Sequence, residues 1–120
     1  INTLDQMNEK LPPAILRIDN GLLFEVANLY FISGAEEKYK EIIVDVERRA
    51  SEDLERNPSD VSSYYNPYRI LIDTYENLKE YDKLLGIWEK LEIMFPNDPT
   101  VKANIQRYRQ ILTQPDTLNP

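Results

Sequence analysis

Cysteine and histidine are both missing from this 120-residue chain. Their absence excludes disulfides, a thiol nucleophile, Ser-His-Asp or Cys-His catalysis and most zinc sites. It leaves the compartment open, because a chain without cysteine suits the cytoplasm and an oxidising space equally. Glycine is scarce, with three residues, and neither a glycine-rich phosphate loop nor a D-x-[DN]-x-[DN]-G calcium loop occurs. Long apolar runs are also lacking: nothing approaches the ~20 residues of a membrane helix, and no secretory signal is present. A formal net charge of −7 argues against a nucleic-acid backbone or an anionic membrane surface as a partner. The chain starts at Ile1, not at methionine, and reads as a piece of a longer protein or a processed form.

What is present is helical pattern. Hydrophobic residues make up 42% of the chain, enough to bury a core in one domain. The spacing 0, 3, 4, 7 begins at Leu23, Tyr39, Tyr68 and Tyr81, and such spacing puts each set on one helix face. With β-branched runs short, the chain is expected to be all-α.

In chain order, residues 1–13 read as an N-terminal packing segment. Thr3 and Gln6 have the spacing of a capping box, Leu4 and Met7 share a face, and Pro12-Pro13 is a break. A helix is expected over 20–33, its core face Leu23, Val26, Ala27 and Tyr30, with Gly34 in the left-handed position after its end. A long helix is expected over 36–56, with Tyr39, Ile42, Ile43, Val46, Ala50 and Leu54 inward and Asn57-Pro58 as its stop. Its outer face pairs Glu36 with Lys40, Asp45 with Arg49 and Glu52 with Arg56, each worth only ~0.2–0.5 kcal/mol. Glu36, Glu37, Glu41 and Asp45 therefore read as a solvated face and not as a catalytic carboxylate set.

Asn66 is expected to cap the next helix, with Pro67 at its first position. That helix buries Tyr68, Leu71, Ile72, Tyr75 and Leu78. After a turn near 77–80 the next one buries Tyr81, Leu84, Leu85, Trp88, Leu91 and Phe95, until Pro96-Asn97-Asp98-Pro99 ends it. A last helix over 100–112 carries Val101, Ile105, Tyr108 and Leu112 on one face and reads as a cap. Residues 113–120 form a tail. The helical-repeat region is thus 14–112, with hairpins 20–57 and 66–96 and the capping helix after them.

The second hairpin resembles a tetratricopeptide repeat: Tyr75 late in its first helix, Tyr81 opening the second, Trp88 within it and Pro96 at the end. The first hairpin matches with Ala27, Tyr30, Gly34 and Tyr39, although its second helix is about two turns longer than such a repeat has. Leu84 stands where a small residue is expected, and Lys79 where the turn glycine is. The resemblance implies two antiparallel helical hairpins that bind a protein or peptide on a concave surface. In this sequence that surface would present Phe24, Asn28, Phe31, Arg69, Asp73 and Glu76. Two repeats are fewer than usually sustain such an array, so the terminal segments, a homodimer or the remainder of a parent chain would complete the core.

A longer resemblance runs from Leu4-Asp5-Gln6-Met7-Asn8-Glu9-Lys10 through Ser63-Tyr64-Tyr65-Asn66-Pro67-Tyr68-Arg69 and Phe95-Pro96-Asn97-Asp98-Pro99 to Tyr108. Over nearly its whole length the chain is similar to the C-terminal extramembrane part of Bacteroidetes-type multi-pass membrane proteins. Those are grouped with the glycosyltransferase-C, protein O-mannosyltransferase-like enzymes. The resemblance implies a bacterial accessory domain on the extracytoplasmic side of a membrane, not itself inserted, with catalysis elsewhere in the parent. Otherwise a cytoplasmic repeat scaffold is expected. No cofactor, metal or catalytic residue is expected in the chain itself. The alternative is a carbohydrate- or peptide-recognising module built on Tyr64, Tyr65 and Tyr68, since tyrosine offers both a ring and a hydroxyl.

Overall fold

The computed structural model describes residues 19–114, and every regular element among them is a helix. These are α1 (Asn20–Ile32), α2 (Glu36–Arg56), α3 (Pro67–Leu78), α4 (Tyr81–Met94) and α5 (Pro99–Thr113). The expected segment 1–13 and residues 115–120 of the expected tail 113–120 lie outside the described residues, and Thr113 of that tail closes α5. The chain divides into two compact units, one ending at Ile70 and the other beginning at Leu71.

In the first unit α1 packs on α2. Phe31, near the end of α1, meets Tyr39, near the start of α2, with ring centroids 4.9 Å apart. Asn20, at the start of α1, donates from Nδ2 to the carbonyl of Val46 at 3.0 Å, so the two helices run past each other in opposite senses. On α2 the residues turned inward are Tyr39, Ile42, Ile43, Val46, Ala50 and Leu54, the six that periodicity selects. On α1 the face differs from expectation. Asn20, Gly21, Phe24 and Ala27 are buried, whereas Leu23, Val26 and Tyr30 are only half-buried. The reason is that α1 is apolar nearly all round, so its own pattern cannot choose a side. On the surface of α2, Asp45 does pair with Arg49 at 3.4 Å. Glu52, however, takes Arg48, and Arg56 takes Asp53, one turn back.

The second unit holds most of α3 with α4 and α5, and α4 packs on α5. Tyr81 stacks on Tyr108 at 5.8 Å between centroids, and Arg109 reaches Glu89 at 3.1 Å. Buried here are Leu71, Thr74, Tyr75, Leu84, Ile87, Leu91, Val101, Ile105 and Tyr108. Trp88 and Leu85 are half-buried and Ile87 is inward, so the buried arc of α4 is rotated from the expected one. Phe95 and Leu112, expected in the core, are exposed.

Helix ends follow local chemistry. Asn66 Oδ1 accepts from the Arg69 amide at 3.0 Å, directly before Pro67. Asp98 Oδ1 accepts from the amides of Thr100 and Val101 at 2.8 and 3.2 Å, directly before Pro99. The Pro-Asn-Asp-Pro stop is therefore also the start of α5.

Two turns share one backbone design. After α1, the Ala35 amide donates to Tyr30 O and the Gly34 amide to Phe31 O, with Gly34 at φ +84°. After α3, the Glu80 amide donates to Tyr75 O and the Lys79 amide to Glu76 O, with Lys79 at φ +58°. Both are Schellman endings, which favour glycine at the left-handed position. A side chain there costs roughly 1–2 kcal/mol, offset in part by the ~0.4–1 kcal/mol that glycine loses through its freer unfolded chain. Lys79→Gly is therefore expected to raise the unfolding free energy by about 0.5–1 kcal/mol. Gly34→Ala should lower it by a similar amount, since nothing lies within 4 Å of the added carbon and only the dihedral penalty acts. Urea titration reads both, and a Lys79→Gly variant less stable than the parent would contradict the strain argument.

Candidate interaction site

The segment between α2 and α3 is folded back on itself. Tyr68, in the first turn of α3, donates its hydroxyl to the Pro58 carbonyl. Asn66 Nδ2 donates to Ser63 O at 2.9 Å while its Oδ1 caps α3. This fixes the approach of Tyr64 and Tyr65.

Tyr65 lies over Gly21 on α1. A carbon added at Gly21 would stand 2.6 Å from Cγ and Cδ2 of the ring and 2.8 Å from its Cβ, so only glycine admits this approach. The Tyr65 hydroxyl donates to Glu25, one turn further along α1, and Phe24 meets the ring edge-on at 6.4 Å. Tyr64 sits edge-on to Tyr65 at 4.7 Å. Arg69 lies 4.2 Å over the Tyr64 ring and donates to its hydroxyl at 3.1 Å. Of the three tyrosines picked out from sequence, Tyr68 is buried, Tyr65 half-buried, and Tyr64 is 65% exposed. The first two join the loop to the helices. Tyr64 alone presents a ring to solvent, with a guanidinium on one face.

The six residues expected on a concave surface are divided between the two units, and each is placed within its own. Phe24 is 2% exposed; this corrects the expectation, because it sits between the α2-facing residues of α1 and the Tyr65 ring. Phe31 is partly exposed but rests on Tyr39. Asn28 and Asp73 already hold interactions with neighbours. Arg69 is committed to Tyr64, and Glu76 accepts from the Tyr108 hydroxyl at 2.6 Å. Phe24, Asn28, Phe31 and Arg69 belong to the first unit, Asp73 and Glu76 to the second.

Neither family models nor characterised proteins nor solved structures match this chain. Its residues alone carry the functional reading. Among the described residues no group of three or more Asp or Glu could hold a metal ion, and no described helix is long and apolar enough to cross a membrane.

Two carboxylate-bound phenols are electrostatically marked. The hydrogen bond to Glu25, followed by partial burial and the Glu25 charge, pushes Tyr65 up to about 12. Burial first, then the hydrogen bond and charge of Glu76, pushes Tyr108 up to about 12. Each folded value lies above the ordinary 10.0, so the fold favours the neutral phenol. The stabilisation is complete below pH 10 and is lost as pH rises through about 12. A tyrosinate absorbance titration should show Tyr65 and Tyr108 ionising late, alongside Tyr68, which burial also raises, and Tyr65→Phe and Tyr108→Phe should each remove one late group. Ionisation of either near its ordinary value would mean that the carboxylate contact does not hold in solution.

Sequence reasoning did not single out Gly21 or Glu25. The available signal was Gly21 itself, a glycine inside an otherwise helix-compatible run, which marks close approach by another element.

Proposed function

We propose that this chain is a non-catalytic helical-repeat accessory domain that acts through protein–protein contact or assembly. In this reading it is the extramembrane part of a bacterial membrane protein resembling the glycosyltransferase-C enzymes. The observation that supports it is a pair of large apolar side chains exposed at the end of α4. Ile93 is 83% exposed late in α4, and Phe95 follows it on the surface. A docking partner would take these two side chains out of water, which is what the reading asks of them. The capped helices and the Schellman turns at Gly34 and Lys79 support the tetratricopeptide-like reading.

The test is association of the chain with the remainder of its parent, produced separately in detergent. Retention on the immobilised parent is expected, and Ile93→Asp should weaken it at least tenfold with the helical circular dichroism unchanged. Failure of the wild-type chain to bind, or an unchanged Ile93→Asp affinity, removes this surface as the contact.

The second reading, recognition of a carbohydrate, has one observation in its favour: Tyr64 is an exposed ring beside a guanidinium. Tyr65 and Tyr68 give it little support, because their hydroxyls are already spent on Glu25 and Pro58. Titration with glycans, followed by tyrosine fluorescence, decides it. A saturable response abolished by Tyr64→Ala would place sugar binding ahead of protein contact.

A further inference from the structure

The three glycines sit in three different settings. Gly34 takes a positive φ, and Gly21 admits the Tyr65 ring. Gly86, inside α4, does neither: its φ is not positive, and nothing beyond its own helix comes within 4 Å of a carbon added there. Glycine is the poorest helix former after proline, and nothing among the described residues compensates for it at this position. What it leaves is a stretch of bare helix backbone that another side chain can approach closely.

Ile93 lies seven residues further on, two turns along the same face of α4. At 83% it is the most exposed large apolar side chain among the described residues. One helix face therefore carries a hollow and a projection about 10 Å apart. Midway between them stand Glu89 and Lys90, an acid beside a base.

A face with this order is complementary to itself. Let a second copy of α4 lie antiparallel on the first, with the two-fold axis between Glu89 and Lys90. Each Ile93 then meets the other copy's Gly86, and each Lys90 meets the other copy's Glu89. Glu89 already takes Arg109 at 3.1 Å, but a carboxylate accepts from more than one donor. Because a two-fold interface makes every contact twice, both hollows are filled and both projections covered. An unrelated partner would need a matching projection, a matching hollow and the opposite charges.

Charge points the same way. Each chain carries −7, so two copies repel over most of their surfaces. The charged residues within about 60° of Gly86 around the helix are Asp82, Lys83, Glu89 and Lys90, and these sum to zero. This strip is one where two such chains meet without local repulsion.

We propose that α4 pairs antiparallel with α4 of a second copy of this chain, with Ile93 seated over the other copy's Gly86. The proposal rests on the reading of the α4 end as a contact surface, and names what covers it.

Sedimentation equilibrium of the full chain tests it, from about 1 µM to about 1 mM, because a single helix pair makes a weak, concentration-dependent interface. The expected result is a mass that rises from monomer towards dimer. Ile93→Asp should weaken association at least tenfold with the helical circular dichroism unchanged. Gly86→Leu should weaken it as strongly by filling the hollow, while raising the thermal midpoint of the dilute monomer. A glycine with no part in association would show only the second effect, which counts against the proposal. Charge reversal tests the register: the Glu89→Lys and Lys90→Glu chains should each associate poorly alone and recover the dimer mass when mixed. A chain that is monomeric throughout but retained by the parent overturns the second copy and leaves the contact surface standing. A chain neither self-associating nor retained ends both. A dimer that persists in folded Ile93→Asp and Gly86→Leu chains uses another face, and overturns the proposal equally.

Discussion

Replacement of Tyr39 by alanine is expected to lower the unfolding free energy by about 3–5 kcal/mol, the usual cost of emptying a buried aromatic site. Tyr39 is 2% exposed in the first turn of α2. It packs beneath Phe31, and its helix face continues into Ile42, Ile43 and Val46. The loss has two parts: the transfer free energy of the ring and the cavity that neighbours fill only in part. Since domains of this size are stable by only about 5–15 kcal/mol, the variant should lose about a fifth or more of its stability. Urea denaturation should show a lower midpoint with an unchanged slope. Val44→Ala, on the exposed side of the same helix, should stay within about 0.5 kcal/mol of the parent. A Tyr39→Ala cost under about 1 kcal/mol would mean that the α1–α2 face is not the core of the first unit.

The second large effect concerns Gly21. In an ordinary helix interior, glycine to alanine stabilises by about 1 kcal/mol. Gly21→Ala is expected to do the reverse and cost about 1–3 kcal/mol, as overpacking does. The new carbon would meet the base of the Tyr65 side chain, including Cβ at 2.8 Å. A flexible tip could swing away, but Cβ and Cγ move only if the backbone of the loop moves. That loop is tied down by Tyr68 to Pro58 and by the Asn66 bonds. The collision makes a distinctive prediction about coupling. Tyr65→Ala alone should destabilise, because it strips the ring from Gly21, Phe24 and Glu25. In the Gly21→Ala background it should cost far less, because it also removes the clash. A double-mutant cycle measures the difference. Additive costs would show that Tyr65 does not rest on Gly21.

The residues differ in how far they could be read in advance. The inward face of α2 was legible because its six apolar positions are set among charges, leaving one side that can be buried. The face of α4 was less so. Leu84, Leu85, Ile87, Trp88 and Leu91 make an apolar arc wider than one neighbour covers, and packing chose Leu84, Ile87 and Leu91. Trp88 is left half-buried, its indole N–H buried without an acceptor among the described residues. The tyrosine cluster was visible as composition, but its division of labour was not. Nothing near Tyr64 and Tyr65 in sequence says that one covers Gly21 and the other stands out under Arg69. Phe24 read as a contact residue through repeat register, and became core because Tyr65 closes over its side of α1.

The sequence by itself determined the helical class and, among the described residues, the five helices and their ends. Caps, proline stops and left-handed turn residues act through bonds to amides and carbonyls a few positions away. Only the tertiary structure decided which arc of α1 faces inward and which tyrosine is exposed. Those choices rest on contacts between distant residues, Asn20 with Val46 across 26 positions and Tyr65 with Glu25 across 40. A periodic pattern states that a side chain is apolar; the neighbour that covers it comes from elsewhere in the chain.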